Sequence, residues 1–332
     1  MDDVQRRLLS AIARRYYLED AAKTDLAKEF SMSRFRVARL LQQARETGVV
    51  TIEINDLDER RDALSADLAE HLLLDECVVV KAGEDEEDNR RRLARAASLR
   101  IKEQVRDGDL LGLSWGRTLA AIGEELADLP PCTIIQLTGT VGNDLRQSPV
   151  EVIRRIAGRS SVDAVAIFAP LFAASETAAQ TFRSDPAVRG ALERYADLSL
   201  AVLAVGSWTP PITQLDTLVT EADRAELALE GTLAEVAGIF LREDGSTVDA
   251  AVTRRRISVS VDELLATPQV LAVAGSVEKA PAIAATARSG LITSLVTDDR
   301  TAGALLALPA VESHALGRRP SSRPHVPARR TS

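Results

Sequence analysis

Over the first fifty positions, apolar residues recur at the three- and four-residue spacing of amphipathic helices. In "DVQRRLLSAIARRYYLE", Val4, Leu8, Leu9, Ile12, Ala13 and Tyr16 fall on one face. "KTDLAKEF" repeats the pattern with Leu26, Ala27 and Phe30, and Thr24 is its expected N-cap. After the turn "SMS", Ser33 is expected to cap a third helix in which Val37, Leu40, Leu41 and Ala44 stand at i, i+3, i+4 and i+7. That stripe needs the first two helices as its packing partner. Arg34, Arg36 and Arg39 are then left on the outer face, with Gln42 and Gln43 further along. Gly48 supplies a left-handed stop, and "VVTIEI" alternates like a short strand or wing.

From Asp56 the pattern changes. "NDLDERRDALSADLAEHLLL" reads as a charged helix with Leu57, Leu64, Leu68 and Leu72 about four apart, a linker over residues 56–75 or a pairing surface for a partner chain. Thereafter short, continuously apolar runs alternate with helical ones. "CVVVKAG", "DLLGLS", "CTIIQLTG", "VDAVAIFAP", "LSLAVLAVG", "VLAVAG" and "TSLVTD" read as buried strands. "NRRRLARAASLRIKEQV", "RTLAAIGEEL", "PVEVIRRIAG" and "KAPAIAATARSG" read as the helices between them. Such alternation predicts an α/β domain with a mainly parallel sheet over residues 76–315. The remainder, 316–332, is rich in Pro, Arg and Ser without an apolar stripe, and is expected to be disordered.

Composition narrows the function classes. The 332 residues are 45% hydrophobic and 27% charged, as in ordinary globular proteins. No apolar run approaches the ~20 residues of a membrane helix, and the start lacks a signal-peptide core, so a cytoplasmic protein without membrane partners is expected. Cys77 and Cys132 are too isolated for a disulfide framework, and His71, His314 and His325 are too scattered for a metal cluster or a histidine-based triad. The chain is acidic, at −8. Only its two ends carry a basic excess, so contact with a polyanion must come from a locally organised surface.

The first three helices offer such a surface. Two short helices joined by a tight turn, the second arginine-rich outside, match a helix-turn-helix. Residues 1–55 are thus a candidate DNA-binding domain, with Thr24, Ser33, Arg34, Phe35, Arg36 and Arg39 as its contacts and double-stranded DNA as its partner. A three-helix bundle with solvated arginines, or one that binds another protein, fits the same periodicity.

In parallel sheets ligands bind beyond the carboxyl ends of the strands. "GLSWGRTL" ends a strand at Ser114 and opens a helix with Gly116, Arg117 and Thr118, whose free N–H groups suit an anion. "LTGTVG" presents Thr138 and Gly139, and "AVGSW" presents Gly206. In "AVAGSVEKAPAI", Lys279 lies in the first turn of a helix, where the dipole asks for an anionic neighbour, and Glu235 of "LAEVAGIF" is a candidate. Packing glycines and surface charges explain the same residues equally well. Neither GxGxxG nor GxxxxGK[ST] is present, and no cofactor is expected.

"LAKEFSMSRFRVARLLQQARETGVVTIEI" resembles the DNA-binding domain of the SorC-type family of sugar-responsive bacterial transcriptional regulators. Ser33, Arg34, Val37, Arg39, Leu40, Leu41, Ala44, Arg45, Gly48 and Val50 carry the likeness; Phe35, Arg36 and Ala38 depart from it. "GLSWGRTL", "QLTGTVG", "FAP", "VAGIFLREDG", "VAGSVEKAPAI" and "SLVTDDRTAGALL" are similar, in order, to blocks of that family's effector domain. The resemblance implies a winged helix-turn-helix domain followed by an effector domain of the ribose-phosphate isomerase and glucosamine-phosphate deaminase fold group. It also implies a homodimer or homotetramer, and a sugar, polyol or sugar-phosphate effector. The implied effector contacts are Gly116, Arg117, Thr118, Thr138, Gly139, Glu235 and Lys279. Ser276 after Gly275, and Trp208 in "AVGSW", depart from the family pattern at places that bear on the pocket. A sugar-phosphate isomerase or deaminase with an N-terminal bundle is the alternative, although the named loops contain no histidine and no acid pair.

Overall fold

The computed structural model describes residues 3–50, 59–141, 148–160 and 162–317, and the chain divides into two compact units, 1–58 and 59–332. The first contains α1 (Asp3–Tyr17), α2 (Lys23–Glu29) and α3 (Arg34–Glu46). Leu9, Ile12, Ala13, Leu26, Val37, Leu41 and Ala44 form its core, the stripe expected from periodicity. Ser33 caps α3, its Oγ accepting from the Arg36 N–H at 3.2 Å. Thr24 does not cap α2. The N-cap is Ala22, without a side-chain bond, and Thr24 lies inside the first turn. Val49 and Val50 form a bend rather than a strand; the rest of the expected wing lies outside the described residues.

The second unit opens with α4 (Glu59–Leu72). Its Leu68 and Leu72 are buried in the core of this unit, so α4 is part of the large domain and not a linker with a spare apolar stripe. Leu57 lies outside the described residues. There follow β1 (Glu76–Val80), α5 (Glu86–Gln104), β2 (Leu110–Leu113), α6 (Arg117–Glu125), β3 (Thr133–Gln136), α7 (Pro149–Ala157), β4 (Asp163–Val165), α8 (Glu176–Ser184), α9 (Pro186–Glu193) and β5 (Leu200–Ala204). The next lobe comprises β6 (Gly206–Ser207), α10 (Glu221–Leu229), β7 (Ala234–Val236), β8 (Ile239–Leu241), α11 (Ala251–Arg254) and α12 (Val261–Ala266). The chain then returns through β9 (Gln269–Val273), α13 (Ala280–Ser289), β10 (Ser294–Asp298) and α14 (Asp299–Leu306). The arginine-rich tail from 318 lies outside the described residues.

All seven apolar runs read as strands enter one parallel sheet, ordered β1-β10-β9-β5-β2-β3-β4. Both faces of the inner strands are covered, which is why their runs are continuous rather than alternating; β4, expected to be buried, is instead an exposed edge strand, with Asp163 and Ala164 open to solvent. In β5, Leu200 and Val202 face the core made with α5, α6 and α7, whereas Ala201 and Leu203 face the core made with α4, α13 and α14. The strand order reverses between β5 and β2. From β2 the chain winds outward through α6 on one face, and from β9 it winds the other way through α13 on the opposite face. A crevice opens at such a reversal, beyond the carboxyl ends of the strands. Against it stands a feature the periodicity did not predict, a small antiparallel sheet ordered β6-β7-β8.

Candidate functional site

A cavity of about 510 Å³ occupies that crevice. The segments following β1, β2, β5, β9 and β10 line it, together with Thr213 and with Glu235 from β7. Gly116, Arg117, Thr118, Gly206, Glu235 and Lys279, read from separate stretches of sequence, all lie on its wall.

Each is held by a local cause. The chain leaves β2 through Ser114 and Trp115 and enters α6 at Gly116, whose φ of +133° is open to glycine but strained for other residues. Gly116 offers no side-chain cap, so the first N–H groups of α6, beside the cavity, have no intrahelical acceptor. Arg117 is exposed at the rim and pairs with Glu86 at 3.2 Å. Gly206 is glycine for another reason. A Cβ there would stand 2.2 Å from Glu235 Oε1, because β6 and β7 pair with Gly206 directly opposite Glu235.

Glu235 is 5% exposed. Its Oε1 accepts from the Thr213 hydroxyl at 2.9 Å and its Oε2 from the Gly238 N–H at 3.4 Å. Burial pushes the carboxyl above its ordinary value, with the Thr213 and Gly238 bonds and the nearby Lys279 ammonium opposing. Lys279 ends a 3-10 turn (Val277–Lys279) and is the N-cap of α13, one position before the helix proper. Its Nζ folds back to donate to the Val205 carbonyl at 2.9 Å. Burial pushes this ammonium below its ordinary value, with Glu235 opposing. The anionic neighbour that a lysine at a helix start calls for is thus Glu235, reached electrostatically. The wall therefore combines a buried carboxyl, a half-buried ammonium and a row of N–H donors. That set exchanges hydrogen bonds with a polyhydroxylated molecule, and α6 can receive an anionic group.

Thr138 and Gly139 are not brought to this wall. Gly139 donates its N–H to the Ile257 carbonyl at 2.8 Å, and a Cβ on it would meet the Pro170 backbone at 2.5 Å. It is a close-packing glycine, and Thr138 beside it is wholly buried. Trp208 is likewise turned into the core, edge-on to Phe240 at 5.3 Å. Sequence reading missed Asn89, Thr213 and Asp298, and it named Ser276 only as a departure that bears on the pocket. Asp298 is 2% exposed and accepts from Asn89 Nδ2 at 3.0 Å and Thr301 Oγ1 at 2.8 Å, which ties the loops after β1 and β10 together. The strand-end rule applied to "CVVVKAG" and "TSLVTD" would have found Asn89 and Asp298. Thr213 carries no pattern that points to it.

In the N-terminal unit, the outer face of α3 presents Arg34, Phe35, Arg36 and Arg39 to solvent, and Phe35 is 82% exposed. The capped α3 thus carries a large exposed aromatic among three exposed arginines.

Several known proteins share this architecture. The chain is 27% identical over 311 residues to the transcriptional regulator LsrR of Enterobacter sp., covering 92% of this chain and 94% of that one. It is 26% identical over 318 residues to the erythritol catabolism regulatory protein EryD of Brucella abortus, covering 93% and 99%. The full-length sorbitol operon regulator SorC from Klebsiella pneumoniae has the same fold, with a TM-score of 0.78 at 23% identity over 92% of this chain and 99% of that one. Residues 59–307, which hold the sheet and the whole cavity wall, match the Sugar-bind model of a sugar-binding domain. The chain belongs to this family, the SorC-type transcriptional regulators.

Proposed function

We propose that this chain is a transcriptional regulator of a carbohydrate-metabolism operon, switched by a sugar, polyol or sugar phosphate held in the cavity at the strand ends. The observation that carries the reading is the convergence of Gly116, Arg117, Thr118, Gly206, Glu235 and Lys279 on one wall. The effector acts by binding the DNA-competent and DNA-incompetent states with different affinity, and it shifts their balance only by that difference. Arg34, Arg36 and Arg39 meet operator DNA, in the major groove or on phosphates, with Phe35 among them. A single helix-turn-helix covers few base pairs, so two or four copies bind together on spaced half-sites. DNA as the partner puts the protein in the cytoplasm.

The cavity binds and does not turn its ligand over. No histidine lines it among the described residues, and its two buried carboxyls are already engaged, Glu235 accepting from Thr213 and Gly238 and Asp298 from Asn89 and Thr301. Arg34→Ala or Arg39→Ala is expected to weaken operator binding by about 1–3 kcal/mol where the arginine grips a base. Unchanged affinity in both, with the fold intact, removes α3 from the groove. Lys279→Ala is expected to leave ligand-free DNA binding near wild type and to abolish the response to a panel of sugars, polyols and their phosphates. Steady release of a converted sugar by the wild-type protein would instead establish an enzyme.

A further inference from the structure

Two adjacent residues on the cavity rim break opposite rules. Gly275 has no left-handed φ, yet it must be glycine, because a Cβ there would stand 2.5 Å from Asp298 Oδ2 and 2.7 Å from Leu93 Cδ1. Ser276 does have a φ that favours glycine, +114° with ψ 125°, and it nevertheless carries a side chain. The surroundings enforce this conformation. The Ser276 N–H donates to Thr301 Oγ1 at 2.9 Å, and Thr301 is held in turn by Asp298 through its N–H at 2.9 Å and its hydroxyl at 2.8 Å. Backbone strain maintained in this way at a ligand cavity motivates a search for what the side chain contributes.

The Ser276 hydroxyl lines the cavity and donates to the Glu278 carboxylate, which lines it too. With its proton committed, Ser276 Oγ has only lone pairs left to offer. The same bond holds the Glu278 carboxyl below its ordinary value, so Glu278 remains ionised and acceptor-only. Two acceptors therefore stand side by side on the rim, joined by that bond. The negative charge of Glu278 opposes a phosphate at this place, and the two acceptors suit two hydroxyl donors.

We propose that Ser276, acting with Glu278, is a specificity-determining residue that receives a vicinal diol of the effector and turns the ligand's hydroxyl-bearing end, not a phosphate, toward the loop after β9. This rests on the reading of the cavity as the effector site. It differs from the strand-end contacts at α6, Glu235 and Lys279, because it assigns a direction to the ligand and a reason for the side chain at position 276.

The test uses the full chain as wild type, Ser276→Gly and Ser276→Ala. The probes are erythritol, D-ribose, D-sorbitol, D-fructose and D-glucose and their monophosphates, with calorimetric titration and thermal unfolding as readouts. For the probe that binds wild type most tightly, both variants are expected to raise Kd by about 3- to 10-fold, the worth of a hydrogen bond or two. Ser276→Gly, which relieves the strained φ, is expected to unfold at or above the wild-type Tm. Wild-type affinity in Ser276→Gly overturns the proposal and leaves the cavity reading intact. A lowered Tm for Ser276→Gly also overturns it, since the serine would then serve the fold. If wild type binds none of the probes, the cavity reading fails, and this proposal fails with it.

Discussion

Gly206→Ala puts a single methyl group against the buried carboxylate, which supplies its three nearest neighbours. The added Cβ would lie 2.2 Å from Glu235 Oε1, 2.8 Å from Cδ and 2.9 Å from Cγ, whereas relaxed contact needs roughly 3.5–4.0 Å. The whole side chain is in the way, so rotating its tip does not suffice. The carboxylate must retreat by more than about 1 Å, which breaks its 2.9 Å bond from Thr213. Overpacking of this kind costs about 1–3 kcal/mol, and losing a hydrogen bond to a charged group about 1.5–3 kcal/mol. One displacement incurs both, so the two overlap, and we expect a loss of about 2–3 kcal/mol. Urea unfolding followed by tryptophan fluorescence measures it cleanly, because both tryptophans, Trp115 and Trp208, lie in the large unit. Glu235→Ala deletes the three atoms nearest to the new methyl. Against that background Gly206→Ala should cost close to nothing, giving a coupling of about 2 kcal/mol in the double-mutant cycle. An equal cost in both backgrounds would refute the account of Gly206. The single variant should also lose its ligand response while the ligand-free protein still shifts operator DNA.

Two further expectations follow from the same geometry. Ser33→Ala removes the cap of α3 and should cost the N-terminal unit about 0.5–2 kcal/mol, read by far-UV circular dichroism, with operator affinity falling alongside; an unchanged melt would show that the Arg36 N–H needs no partner. Glu235 has a folded pKa above its ordinary 4.5, so its contribution to stability is greatest below pH 4.5 and is lost as pH rises through the folded value. Glu235→Gln cannot ionise, and wild type should therefore lose stability relative to this variant over that interval; a difference that stays constant from pH 4 to pH 8 would contradict it.

Sequence alone determined the secondary structure of the sheet and the class of the fold. A strand buried on both faces has no polar face to alternate with, so "LSLAVLAVG" and "VLAVAG" announce themselves as continuous apolar runs. A helix packed on one side shows its period, as Val37, Leu41 and Ala44 do in α3. Gly116, Arg117, Thr118, Gly206 and Lys279 were legible because the place where parallel sheets bind ligands is a property of strand polarity, which the chain order fixes; Glu235, inside antiparallel β7, was legible only as the anion that Lys279 calls for. Three matters were decided only by the tertiary structure. The leucines of α4 read as a free stripe until the core of the large unit was seen to bury Leu68 and Leu72. Thr138 and Gly139 read as an open loop, but Gly139 is claimed by the Pro170 backbone, a neighbour far away in sequence. Ser276 carries no sign of its φ in its own letter. Bonds from Thr301 and Asp298, brought beside it by the next strand and helix, impose that conformation. A residue's own chemistry and its near neighbours set local periodicity, whereas contacts between distant segments exist only once the chain has closed on itself, and the rim of the cavity is made of those.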